Sequence, residues 1–195
     1  MYKKQMLIQR IISYVVLAAA ALVFIYSLGL VTDLHYNNFA YYAENLEKPK
    51  VEGSQLFYEI QPFNSQLTTA GIVLILSALL LFVFGTHSRR KYYIGNYITI
   101  CLNAILSVGV AIFGIINVIK YRAMYFQIDF AELERRQELL KKPFDISSFW
   151  FDIGFFVFAF AIFAAVLSLL NLAFKIYVMR GEKKLLSECG EVNNG

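Results

Sequence analysis

The side chains with the most regular spacing in this sequence are asparagines in its third apolar segment. Asn96, Asn103 and Asn117 are separated by multiples of seven residues, and Ser107 lies one helical turn beyond Asn103. Residues seven apart share one face of a helix, which predicts an interhelical polar stripe of Asn96, Asn103, Ser107 and Asn117. Amides in a membrane need hydrogen-bond partners, so the stripe indicates contacts inside a bundle or with another subunit. The alternative is that it lines a path for a polar solute or ion.

Few other residues offer chemistry. The two histidines, His35 and His87, each follow an apolar segment and are expected on opposite sides of a membrane. Catalysis needs a nucleophile with a base, or titratable groups gathered in a cleft, and no motif for a metal, phosphate or nucleophilic site occurs in the sequence. We therefore interpret the protein as a non-enzyme with no catalytic residues, no cofactor and no metal site.

The elements that must position the polar stripe are four apolar segments. Hydrophobic residues make up 58% of the 195 residues and charged residues 16%, whereas a soluble domain is about 45–50% apolar and about 25% charged. A membrane-spanning helix needs about 20 apolar residues, which predicts transmembrane helices at residues 11–32, 67–86, 95–119 and 149–174. The expected fold is an all-α integral membrane protein, a single four-helix bundle over residues 1–195 with the lipid bilayer around it.

The positions of lysine and arginine predict the orientation of the bundle, because these residues favour the cytoplasmic side. In the first outer loop, residues 33–66, the only lysine or arginine residues are Lys48 and Lys50. We expect a multi-pass protein of the cell membrane with cytoplasmic N and C termini, a cytoplasmic tail at 175–195, and loops 33–66 and 120–148 outside. The net charge of +4 then reflects topology rather than a nucleic-acid partner. The basic residues assigned to the cytoplasm are Lys3, Lys4, Arg10, Arg89, Arg90, Lys91, Lys175, Arg180, Lys183 and Lys184.

The two outer loops predict a small extracellular cap. In the first loop, residues 37–49 predict a short helix that ends at Pro49, and "SQLFYEI" predicts a short strand. In the second, Asp129 as N-cap with Glu132 three residues later predicts an amphipathic helix over about 129–142, in which Glu132 can pair with Arg136. We expect its apolar stripe to contact the aromatic first loop. The residues predicted to make these outer-cap contacts are Phe126, Phe130, Leu133, Leu140 and Phe144.

The fourth apolar segment has two kinds of surface. Small and polar residues predict a packing ridge of the kind that allows close approach of helix backbones. Phenylalanines such as Phe156 and Phe163 cover other sides, and these either meet lipid or interlock with a second membrane protein. The predicted packing ridge consists of Ala161, Ala164, Ala165, Ser168 and Asn171.

These observations favour an interaction protein over an enzyme. The first hypothesis is a non-catalytic accessory subunit that packs against a larger integral membrane protein, such as a transporter permease, and presents its cap outside. The alternative is a channel or small-solute conductor formed by self-association and lined by the asparagine stripe. Both hypotheses expect membrane partners and no nucleic acid, and both leave the identity of the partner or solute open.

Overall fold

The computed structural model of the protein describes residues 2–32, 51–86, 93–140 and 147–192. Over these ranges the chain forms five α-helices and no strand. Four of the helices are long and apolar enough to span a membrane, over Lys4–Gly29, Leu56–Gly85, Ile94–Tyr125 and Phe149–Gly181. The predicted all-helical, multi-pass architecture is therefore confirmed. The helices are α1 (Tyr2–Thr32), α2 (Leu56–Thr86), α3 (Tyr93–Tyr125), α4 (Phe130–Leu140) and α5 (Phe149–Val192).

The long helices extend well beyond the apolar segments that revealed them. Helix α1 begins at Tyr2, and α5 continues to Val192 through residues expected to form a polar tail. Hydrophobicity marks only the part of a helix that can lie in hydrocarbon. Residues 175–192 contain no proline and are rich in lysine, glutamate and leucine, which have high helix propensity, so nothing in the sequence ends the helix at the apolar boundary.

The predicted strand "SQLFYEI" is wrong, because α2 begins at Leu56, inside this stretch. A tight turn precedes the helix, and it is closed by the backbone N–H of Leu56, which donates to the carbonyl of Gly53 at 3.2 Å. Gly53 has a φ of 82°, a conformation that glycine adopts most readily. Pro62 lies near the start of α2, where it removes the hydrogen bond to the carbonyl of Tyr58.

Two expected features lie outside the described residues. They are the short helix of the first outer loop, at 37–49, and most of the connection between the second and third apolar segments, at 87–92.

Contacts between helices group the chain into two units. The first contains Met1–Ala20, Val73–Val108 and Ala161–Gly195, and the second contains Ala21–Ile72 and Gly109–Phe160. The interior of the first unit includes many buried polar side chains, which is unusual for helices of this hydrophobicity. These buried polar residues are Gln5, Gln9, Ser13, Ser77, Asn96, Thr99, Asn103, Ser107, Ser168, Asn171 and Lys175.

The second unit has an apolar and aromatic interior. The rings of Tyr26 and Phe158 meet edge to face with centroids 5.6 Å apart, and both side chains are buried. Phe158 also lies directly against Gly114 of α3, where a side chain larger than hydrogen would collide with the ring. The ring of Phe63 lies 5.6 Å from that of Tyr121. Ring packing therefore stabilises this unit.

Candidate functional site

The most unusual site in the described residues is a buried cluster of amides around a lysine in the first unit, which we call the polar cluster. It consists of Gln5 and Gln9 on α1, and Asn171 and Lys175 on α5. Each pair is four residues apart, so both of its members lie on one face of their helix. Gln5 Nε2 donates to Gln9 Oε1 at 3.2 Å and to Asn171 Oδ1 at 3.4 Å. The cluster joins the first and last long helices of the chain.

Lys175 is the charged member of the polar cluster. Its side chain is only 2% exposed, although it lies within a helix span of membrane-crossing composition. Its ammonium Nζ donates to Gln9 Oε1 at 3.2 Å and lies 5.7 Å from the centroid of the Tyr97 ring. A charged group at such a position is expensive to bury and often marks function. Gln9 and Tyr97 provide an acceptor and a π face that offset part of this cost.

Sequence reasoning misses this cluster, because it assigns Lys175 to a cytoplasmic tail as a topology signal. The structure places Lys175 within α5 and buries its side chain. A signal is present in the sequence. Gln5, Gln9 and Ser13 recur every four residues on α1, and Asn171 and Lys175 repeat the same spacing on α5. Two polar faces of this kind in otherwise apolar helices predict a polar contact.

The polar cluster also contains atoms whose hydrogen-bonding capacity is unused within the described structure. Gln5 Oε1 and Gln9 Nε2 are buried and have no hydrogen-bond partner there. Buried polar atoms usually have a partner in the protein or an ordered water. The cluster can therefore accept and donate further hydrogen bonds to a small polar molecule such as water.

Most of the asparagine stripe faces the interior of the first unit. Asn96, Asn103 and Ser107 are buried. Asn103 Nδ2 donates to Ser77 Oγ of α2 at 2.7 Å, and Asn96 Nδ2 donates to the carbonyl of Phe84 at 3.4 Å. The stripe thus joins α3 to α2 through interhelical hydrogen bonds.

Asn117 does not share this environment. It is half-buried, and its Nδ2 donates to the carbonyl of Phe113 in its own helix at 2.9 Å. A straight α-helix drifts by about 20° for each heptad, so a residue two heptads beyond Asn103 is turned by about 40° away from it. The seven-residue spacing therefore overestimates the length of the stripe.

The predicted packing ridge of the fourth segment is buried along its full length. Ala161, Ala164, Ala165 and Ser168 are each at most 2% exposed, and Asn171 is 4% exposed. Small side chains here let neighbouring helices approach closely. Only Asn171 of this ridge is part of the polar cluster.

The residues predicted to form the outer cap lie in different environments. Leu133 is fully buried, whereas Phe126 is largely exposed. The ring of Phe130 lies 5.1 Å from that of Tyr125. The side chain of Leu140 and the whole of Phe144 lie outside the described residues.

The start of α4 is organised as the sequence predicts. Asp129 Oδ1 accepts a hydrogen bond from the backbone N–H of Glu132 at 3.0 Å, which confirms Asp129 as the N-cap. Glu132 Oε2 lies 2.7 Å from Arg135 Nη2, whereas the side chain of its predicted partner, Arg136, lies outside the described residues. The backbone N–H of Asp129 donates to the carbonyl of Glu52 at 3.1 Å, so the beginning of α4 contacts the turn that precedes α2.

An ion pair joins α3 and α5 in the second unit. Arg122 Nη2 lies 3.2 Å from Asp152 Oδ1, and both side chains are partly exposed. Asp152 occupies the first turn of α5, where the helix dipole favours a carboxylate. The backbone N–H of Phe149 donates to Ser147 Oγ at 3.2 Å. These contacts are explained by helix capping and helix pairing.

In comparisons with known proteins, no protein-family model, no curated protein and no solved structure matches the chain. In the described ranges, no group of three or more histidine, cysteine, aspartate or glutamate residues is placed to hold a metal ion.

Proposed function

We propose that this protein is a non-catalytic accessory subunit that packs laterally against a larger integral membrane protein, such as a transporter permease. The cell membrane is its proposed location, with both termini in the cytoplasm and the two long loops outside. The exposed face of α5 is the proposed contact surface, and a single larger membrane protein is the proposed partner.

The observation that supports this proposal is a row of large exposed side chains on α5, which we call the α5 ridge. Its members recur every seven residues, and each is more than half exposed. The buried packing ridge of α5 lies on the other side of this helix. The α5 ridge consists of Phe149, Phe156, Phe163, Leu170 and Tyr177.

The α5 ridge differs in chemical character from the exposed row of α3. Helix α3 also exposes residues every seven positions, but these are isoleucines, as at Ile98, Ile105 and Ile112. Lipid chains are as apolar as leucine, so helices associate in a membrane largely through the fit of their surfaces. Rigid aromatic rings bury a large area with little loss of conformational entropy. The α5 ridge therefore favours a specific protein partner.

Co-purification from native membranes in mild detergent tests this proposal. We expect the tagged protein to retain a larger membrane protein in a stoichiometric amount. Replacing Phe156 and Phe163 together by alanine should lower that yield by about tenfold or more, because aromatic anchors carry much of an interface energy. The matched control replaces Ile105 and Ile112 of α3 by alanine and should leave the yield unchanged.

Two outcomes would contradict the proposal. One is a protein that purifies without any larger partner, and the other is an equal loss of partner in the α5 and α3 variants. Recovery of the protein only with copies of itself would instead favour the alternative, a self-assembled conductor. The placement of Asn96 and Asn103 gives that alternative less support, since both amides are buried within one chain and are not available to line an opening between copies.

A further inference from the structure

A groove between α1 and α5 opens on the surface of the first unit, and we call it the terminal groove. It is an open groove with a volume of about 290 Å³. Its lining is apolar except for Asn171, whose Oδ1 already accepts the hydrogen bond from Gln5. The groove is lined by Ile8, Ile12, Leu167, Leu170, Asn171 and Phe174.

We propose that the terminal groove is a binding site for one anionic phospholipid, with an acyl chain between Ile8 and Phe174 and the phosphate beside Lys4. This inference does not depend on the proposed accessory function. It concerns a lipid held by the chain itself, at a site that shares Leu170 and Tyr177 with the α5 ridge.

The terminal groove is short enough to lie within one leaflet of a bilayer. Leu167 and Phe174, at its two ends, are seven residues apart, which corresponds to about 10 Å along a helix that rises 1.5 Å per residue. The hydrocarbon core of a bilayer is about 30 Å thick, so one leaflet contributes about 15 Å. A partner helix that crosses the membrane would need a groove along the full thickness. A single lipid tail needs only one leaflet.

The end of the terminal groove carries groups that suit a phospholipid headgroup. Lys4 lies one helical turn before Ile8 and is exposed. Tyr177 lies one turn after Phe174 and is the most exposed residue of the α5 ridge. The first unit contains the N-terminal part of α1 and the C-terminal part of α5, so these two side chains lie at the same end of the groove. Lysine and tyrosine are typical of the headgroup level of membrane proteins.

Charge selects an anionic lipid over a neutral one. Lys4 is joined by Arg180, an exposed residue one turn beyond Tyr177 on α5. Basic side chains near a membrane surface attract anionic lipids, and each additional lysine or arginine raises the affinity for these lipids by about the same factor. Lys175 is not part of this headgroup site, because its ammonium group is buried and donates to Gln9.

Native mass spectrometry of the purified full chain tests the site. The protein is stripped of lipid in detergent and then exposed to phosphatidylglycerol or phosphatidylcholine with identical acyl chains. We expect preferential retention of one phosphatidylglycerol. Ile8→Trp, which fills the groove, should abolish retention of both lipids. Lys4→Gln should lower the preference for phosphatidylglycerol by about fivefold, the effect of one lysine at a membrane surface, and should leave binding of phosphatidylcholine unchanged.

Matched controls make the result specific to the groove. Ile105→Trp adds the same ring to an exposed position of α3, and Lys120→Gln removes an exposed lysine from the second unit. Both should retain lipid as the wild type does, and thermal unfolding should show that all variants are folded. Equal retention of the two lipids by the wild type would overturn the proposal. It would also be overturned if Ile8→Trp or Lys4→Gln bound phosphatidylglycerol as the wild type does.

Discussion

At the scale of single residues, the arrangement around Lys175 is the most costly feature of the described structure. A buried ammonium group in an apolar helix is stable only where acceptors replace water. Gln9 Oε1 fills this role and also accepts a hydrogen bond from Gln5. The amides of α1 thus stabilise the buried charge of Lys175 on α5. The polar residues of each helix are explained only by their contacts with the other helix.

Loss of the acceptor should therefore cost more stability than loss of the charge. We expect Gln9→Leu to lower the free energy of unfolding by about 2 kcal/mol, because it removes a hydrogen-bond acceptor of the buried Lys175 ammonium group. Lys175→Met should change it little, since an apolar side chain of similar length replaces the charge. The measurement is unfolding in mixed micelles, with Gln66→Leu as an exposed control. Combining Gln9→Leu with Lys175→Met should recover most of the loss, and equal effects of the two single variants would refute this account.

At the scale of helices, close contacts in the second unit depend on residues that have almost no side chain. Gly114 of α3 lies against the ring of Phe158 on α5, and Gly154 lies under the hydroxyl of Tyr26. A glycine lowers helix propensity, so its place inside a long helix needs a packing reason. At Gly114 the reason is the volume of a phenylalanine ring. Gly109, on the same helix, faces open space: among the described residues, no neighbour lies within 4 Å of the point that a Cβ would occupy.

These two glycines should respond in opposite ways to the same substitution. We expect Gly114→Ala to lower the free energy of unfolding by about 1–3 kcal/mol, the usual effect of overpacking a rigid core. Gly109→Ala should leave stability unchanged or raise it by up to about 1 kcal/mol through helix propensity. Thermal unfolding of both variants in the same detergent measures the difference. Equal stability of the two variants would show that Phe158 can move aside at little cost.

At the scale of the whole molecule, four helices suited to a membrane carry their polar groups inside and their bulky apolar groups outside. In the first unit these inner groups are the polar cluster and the asparagine stripe. Such an exterior offers a protein partner an apolar surface, which is the basis of the proposed accessory role. The proposed lipid site combines an apolar groove with the charges of Lys4 and Arg180. The proposed function also includes an orientation, with both termini in the cytoplasm.

The proposed orientation can be measured in a variant in which Cys101 and Cys189 are replaced by alanine. We expect a single cysteine at Glu134, in the proposed second outer loop, to react with a membrane-impermeant maleimide on intact cells. A single cysteine at Ser88, in the proposed cytoplasmic connection, should react only after the cells are permeabilised. The physical reason is the excess of lysine and arginine near the termini and in the connection. The reverse pattern of labelling would place both termini outside.

The sequence by itself determined the class of the protein, because hydrophobic length alone shows which segments can lie in lipid. It also determined the N-cap at Asp129, since a cap depends on residues a few positions apart. Only the tertiary structure decided which polar residues meet. In the polar cluster Lys175 donates to Gln9. These residues are 166 positions apart in the chain, so no local sequence pattern shows that they pair with each other. Asn103 is buried and Asn117 is turned away from it because each heptad of a straight α-helix falls about 20° short of two full turns. A fixed seven-residue repeat ignores this difference.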